Sequence, residues 1–135
     1  MEKVILASNN MGKIKKIKQK YRSILRSSRD KENRNRLRNE NITIISANCV
    51  GGVIYHDLGL KFNSPTVNLY FNASDYVKFV SNLTYYLQCE LKEIDSEFDY
   101  PCALCGDIVL HMVHYQNFEE GKKKWEERIK RINYE

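Results

Sequence analysis

Hydrophobic positions along this chain cluster into short groups separated by polar stretches, and the spacing inside each group predicts an element. Val4–Ala7 is a brief apolar run of strand type. From Gly12 the period changes. Ile14, Ile17, Tyr21 and Ile24 recur at intervals of three, four and three, which places them on one face of a helix whose other faces carry Lys and Arg. Ser27–Asn41 is almost wholly polar and reads as a frayed helix end or linker. Ile42–Ile45 is β-branched at every position but none is charged, the composition of a buried strand, and it runs into a turn at Ser46–Gly52. Val53–Leu58 predicts a short helix stopped by Gly59, and Leu60–Pro65 a loop. In Thr66–Phe71, Val67, Leu69 and Phe71 alternate with Asn68 and Tyr70, the period of a second strand. Ser74 is placed to cap a helix with Asp75 in its first turn, and Tyr76, Phe79, Val80, Leu83 and Leu87 form its buried stripe. Glu90–Tyr100 reads as an acidic loop, Ala103–Val113 as a third strand, and Phe118–Ile132 as a last helix facing inward through Trp125, Ile129 and Ile132. Strands alternating with helices predict an α/β layered domain: a short, mostly parallel sheet with flanking helices and a basic helix in front.

Charge divides the same chain in two. Gly12–Arg38 holds twelve Lys/Arg and two Asp/Glu, a local +10, whereas the whole sequence is only +5, so the remainder sums to −5. Residues 1–41 therefore read as a basic arm and 42–135 as one α/β domain. A segment so unbalanced points to an anionic partner: a membrane surface along residues 12–38, or an anionic small molecule as group donor. Nucleic acid is the weaker expectation, because no aromatic or glycine-rich reading motif accompanies the charge. No apolar run is long enough to span a bilayer and no signal-peptide core is visible, which predicts a cytoplasmic protein, peripheral at most, with its four cysteines reduced.

Chemistry concentrates in two places. A buried strand delivering the small polar turn Ser46–Gly52 is a common layout for a ligand site: Ser46, Asn48, Gly51 and Gly52 are the candidate substrate cradle, with backbone N–H groups available to an anion. Within it Cys49 is a candidate nucleophile, for which His56, His111 or His114 would serve as base. Asp107, Val109, His111 and Val113 share a strand face at period two, so Asp107 and His111 would act as an acid–base pair, while His114 faces the other way unless the strand ends before it. Each has a structural counterpart: a small buried thiol, a turn-bonding Asn, a hydrogen-bonded core His. Cys102-Ala-Leu-Cys105, with His111 and His114, supplies four zinc-ligand types. The five-residue gap between Cys105 and His111 is too short for a finger, so no metal is assigned and the cofactor is left open.

Two resemblances add to this reading. Ile44–Tyr55, Leu58-Gly59-Leu60, Ser64–Val67, Asp75–Phe79, Gly106–His111 with His114-Tyr115, and Lys124–Arg128 with Arg131-Ile132-Asn133 together resemble a bacterial family catalogued as domain of unknown function 1919. Members of that family are often labelled exopolysaccharide-biosynthesis proteins or acyltransferases. The resemblance covers Asn41 to the C-terminus and implies a glycosyl or acyl transferase of cell-surface polysaccharide assembly, or else a non-catalytic, membrane-associated accessory module of the same pathway. Family members usually carry Trp where this chain has Val50, and they continue into further strands past Asn133, which implies a C-terminally shortened member. Separately, Val4–Ile14 is similar to the strand–loop–helix opening of inosine/xanthosine triphosphate pyrophosphatases, with Ser8, Asn9, Asn10 and Lys13 at the phosphates. That match spans eleven residues without the later acidic motifs, and a nucleoside triphosphate pyrophosphatase-like hydrolase is the third reading.

Overall fold

In the computed structural model, residues 2–135 are described, with side chains from residue 12 onward. The chain forms two compact units, residues 1–38 and 39–135. The first is a single helix, α1 (Glu2–Arg36), unbroken through the region expected to fray. Its apolar period continues the helix N-terminally through Val4–Ala7, so those residues are helical rather than a strand. The strand–loop–helix likeness to the pyrophosphatases fails with them. The side chains of Ser8, Asn9 and Asn10 lie outside the described residues.

The second unit runs α2 (Val50–Asp57), α3 (Ala73–Ser81), α4 (Leu83–Gln88), β1 (Leu91–Ile94), β2 (Cys102–Cys105), β3 (Ile108–His111) and α5 (Phe118–Ile129). Its sheet has the order β1-β2-β3 and both pairs are antiparallel, with Leu91 opposite Cys105 and Cys102 opposite His111. The expected parallel sheet is therefore corrected. Parallel neighbours need a crossover of a dozen or more residues, whereas these strands are consecutive and joined by short connections, which permits only antiparallel pairing. The segment read as the acidic loop contributes β1. The run read as a third strand folds back on itself at Gly106-Asp107, where Gly106 takes a positive φ of 61° in the tight turn.

The two strands expected upstream do not join this sheet, for a reason visible in their backbone partners. Ile42–Ala47 is extended, but apart from Phe71 N donating to Ala47 O (2.9 Å) its polar groups are bonded by side chains rather than by a neighbouring strand. The Tyr55 hydroxyl donates to Ile42 O (3.0 Å) and accepts from Ile44 N (2.8 Å), Thr66 Oγ1 accepts from Ser46 N (3.2 Å), and the Tyr76 hydroxyl donates to Ile45 O (3.3 Å). Buried backbone groups need partners of some kind, and these satisfy them without a ladder. In 66–71 the ladder is broken by Asn68, which adopts φ 68°, a conformation Asn tolerates better than most residues. Only Tyr70 bridges to the sheet, pairing with His111. The burial alternation survives: Val67, Leu69 and Phe71 are buried and Tyr70 is exposed.

Helix α2 ends as its sequence predicts. Gly59 (φ 65°) donates to His56 O and Leu60 to Tyr55 O, the paired bonds of a Schellman terminus. The predicted middle helix splits at Asn82 into α3 and α4; Asn72 rather than Ser74 stands at its N-cap, and Val80 is exposed. Asp75 turns to accept from Val109 N (3.1 Å), tying α3 to β3. The core lies between the sheet and α3–α5. Phe79 makes ring contacts with Phe71, Tyr86 and Trp125 within it, and Gly121 lets α5 close on Met112, leaving no room for a side chain there. Beneath the extended segment, buried Arg128 donates to Val67 O (2.9 Å) and the Tyr115 hydroxyl (2.7 Å), and Asn133 bonds Thr43 and Asn41. These bonds give the Ser64–Val67 and Arg131–Asn133 motifs a bracing role.

Candidate functional site

The turn after the extended segment is built by its own side chains. Ser46 Oγ donates to Asn48 O (2.8 Å) and accepts from Gly51 N (3.3 Å), while Asn48 Oδ1 accepts from Val50 N (3.0 Å). Two of the orphan N–H groups at the start of α2 are thereby capped from within the chain. Ser46 and Asn48, expected to hold substrate, hold the turn. Packing leaves Gly51 little room for a side chain and makes Gly52 tight. A Cβ on Gly51 would lie 2.5 Å from Ser46 Oγ, and one on Gly52 would lie 3.3 Å from Val67 Cγ1.

This bracing presents Cys49 at the N-cap of α2, half-buried, with its Sγ 3.0 Å from His114 Nε2. The contact spans 65 residues of sequence. It forms because β3 ends at His111 and the chain turns, Tyr115 N donating to Met112 O (3.0 Å), which frees His114 from strand alternation. Tyr115 is buried and held by Arg128, so His114 is carried on an anchored turn. On the helix that starts after Cys49, Val50, Val53 and Ile54 are exposed. They lie within about 100° of one another, an apolar strip on its surface.

The remaining candidates are engaged elsewhere. His56 is exposed, with Nδ1 3.1 Å from Asp57 Oδ1, and no contact joins it to Cys49. Asp107 is not on the strand face of His111 but in the β2–β3 turn. There it accepts from Lys78 Nζ (2.8 Å) and the Tyr86 hydroxyl (2.7 Å). The Lys78 and Tyr86 hydrogen bonds hold the Asp107 carboxyl below its ordinary range. In return Asp107 pushes the Tyr86 phenol up to about 12. His111 is a core histidine, ringed by Tyr70, Phe98 and Tyr100, with Cys102 Sγ 3.6 Å from Nδ1 and Asn72 Nδ2 3.5 Å from Nε2. Burial lowers its pKa and favours the neutral ring.

Cys102 and Cys105 face different surroundings: Cys102 meets His111, whereas Cys105 donates to Tyr86 O (3.3 Å) and its thiol is pushed up to about 12 by burial. Among the described residues no three His, Cys, Asp or Glu side chains converge as metal ligands. Thr66 and Tyr55, which fix the approach to the turn, were not singled out from the sequence; their only signal there is a hydroxyl within a mostly apolar motif.

Against known proteins, an uncharacterized protein of Haemophilus influenzae is 40% identical over 97 residues, covering 72% of this chain. The chain spans about half of that relative, 47% of its length. The domain of unknown function DUF1919 matches residues 20–135, from within α1 through the whole second unit. On that match, which takes in the Cys49 turn, the His114 turn and the bracing Arg128–Asn133 segment, the chain belongs to the DUF1919 family.

Proposed function

We propose that Cys49 and His114 are the nucleophile and base of an acyl-transfer site, and that the protein is a transferase working through a thioester on Cys49. The observation that carries this is the 3.0 Å approach of Sγ to Nε2 at the N-terminus of α2. His114 would take the thiol proton as Sγ attacks the carbonyl of a thioester donor. The donor's thiolate leaves with that proton. A hydroxyl or amine acceptor then attacks the Cys49 thioester, gives its proton to His114, and releases the acylated product and the thiol. Val50, Val53 and Ile54 offer an apolar surface to the acyl chain.

Glycosyl transfer is less well served. Asp107 is committed to Lys78 and Tyr86, and the bond His114 makes is to the Cys49 thiol, not to a carboxylate. The family resemblance suggests a sugar hydroxyl of a cell-surface polysaccharide as the acceptor class.

The test is intact-mass spectrometry after incubation with acetyl-CoA or a short phenyl thioester, followed by peptide mapping. One acyl mass should appear on Cys49, be absent in Cys49→Ser, and form about 100-fold more slowly in His114→Ala. Acylation distributed among the cysteines, or an unchanged rate in His114→Ala, would refute the proposal and leave the accessory-module reading.

A further inference from the structure

We propose that α1 is a membrane-surface helix that lays its apolar stripe into an anionic bilayer interface. Ile14, Ile17, Tyr21, Ile24 and Leu25 are all between 52% and 69% exposed. At about 100° per residue they fall in a stripe roughly 100° wide, the width of an interfacial helix face. Lys13 and Lys20 border the stripe on one side and Lys18 and Arg22 on the other, positioned to keep their charged ends in the headgroup layer while their stems cover apolar surface. No helix of the described residues is long and apolar enough to cross a membrane, so the helix would lie along the surface.

Charge decides between occupants of this stripe. The interval pattern of Ile14, Ile17, Tyr21 and Ile24 also suits helix pairing, but pairing with a second copy would set Lys13, Lys18 and Lys20 against the same lysines along the seam. With twelve basic and two acidic residues between Gly12 and Arg38, like-charge repulsion opposes self-association and favours an anionic surface. Nucleic acid would match the charge, but it gives no reason for four aliphatic residues on one exposed face. This inference does not depend on the acyl-transfer reading, because α1 contributes none of the residues assigned there.

The experiment is co-sedimentation of the full chain with vesicles of phosphatidylcholine alone or mixed with phosphatidylglycerol, at low and physiological salt. Two charge-matched variants are compared. Ile17→Asp/Ile24→Asp and Lys15→Gln/Lys16→Gln each lower the helix charge by two, but only the first disrupts the stripe. We expect binding to the mixed vesicles only, weakened by salt. The Asp pair should bind at least tenfold more weakly than the Gln pair, with both variants keeping the wild-type circular dichroism spectrum. Equal losses in the two variants would reduce the contact to charge alone, as for nucleic acid, and overturn the proposal. So would failure of the wild type to bind, or a dimer in light scattering that the Asp pair dissolves.

Discussion

Replacing Gly51 by Ala tests how the Cys49 turn is held. The added methyl would stand 2.5 Å from Ser46 Oγ and 3.2 Å from Ser46 Cβ, with Ile44 Cγ2 at an ordinary 3.6 Å. Ser46 must therefore move, and its hydroxyl makes two bonds of the turn, to Asn48 O and from Gly51 N. Each such bond contributes about 1 kcal/mol net, and forcing a methyl into a filled site costs about 1–3 kcal/mol. Helix propensity acts in the opposite sense: Ala is better than Gly by at most about 1 kcal/mol, and less in the first turn of so short a helix. The balance is a loss of about 2–5 kcal/mol, read by urea denaturation. At about 4–8 °C per kcal/mol for a domain of this size, thermal melting would show it as well.

The same variant should slow iodoacetamide alkylation of Cys49, since the turn that aims the thiol at His114 is displaced. Ser46→Ala/Gly51→Ala should recover at least half of the lost stability relative to Gly51→Ala, because removing Oγ clears the closest clash while the Cβ contact stays tight. If Gly51→Ala is neutral or stabilising, or if removing the Ser46 hydroxyl brings no recovery, then Gly51 is not there to accommodate Ser46.

Three further outcomes follow from the geometry. Tyr55→Phe deletes a hydroxyl that serves both Ile42 O and Ile44 N, and should cost about 1–3 kcal/mol in urea unfolding, with slower alkylation of Cys49 as its local signature. His111 has a folded pKa below the ordinary 6.5, so its contribution is present above that value and is lost as pH falls through the lowered one. His111→Gln should flatten the decline in stability between neutral and acid pH, measured by denaturation across that range. Asp107 is likewise lowered from 3.8 and Tyr86 raised from 10.0 to about 12. Asp107→Asn should thus remove stabilisation otherwise lost only in strong acid, and should bring the Tyr86 phenolate transition down toward 10 in ultraviolet titration.

The candidate site was legible in the sequence as parts rather than as an arrangement. Cys49 at a small polar turn with two glycines was visible, because turn chemistry is local: Ser46, Asn48 and Gly51 lie within six residues and bond one another. Which histidine faces the thiol was not visible. His56 is the nearest in sequence but pairs with Asp57, and His111 lies on a regular strand yet turns into the core. His114 reaches Cys49 only because β3 stops three residues before it. A strand's end depends on where its neighbour stops pairing, and that information is carried by β2, not by the residues of β3.

The sequence by itself determined the basic helix and its apolar stripe, the stop of α2 at Gly59, and the inward positions of Val67, Leu69, Phe71, Phe79 and Trp125. All of these rest on periodicity or on the conformational range of a single residue, which neighbouring positions suffice to express. Only the tertiary structure decided the partners. It bonded Ile42–Ser46 to Tyr55, Thr66 and Tyr76 instead of a strand, made the sheet antiparallel from residues 91–111, and set Cys49 against His114. The physical reason is that a hydrophobic pattern records which side chains leave water, whereas a buried N–H or thiol requires a partner without specifying it. That partner comes from whatever the rest of the fold brings within 3 Å or so.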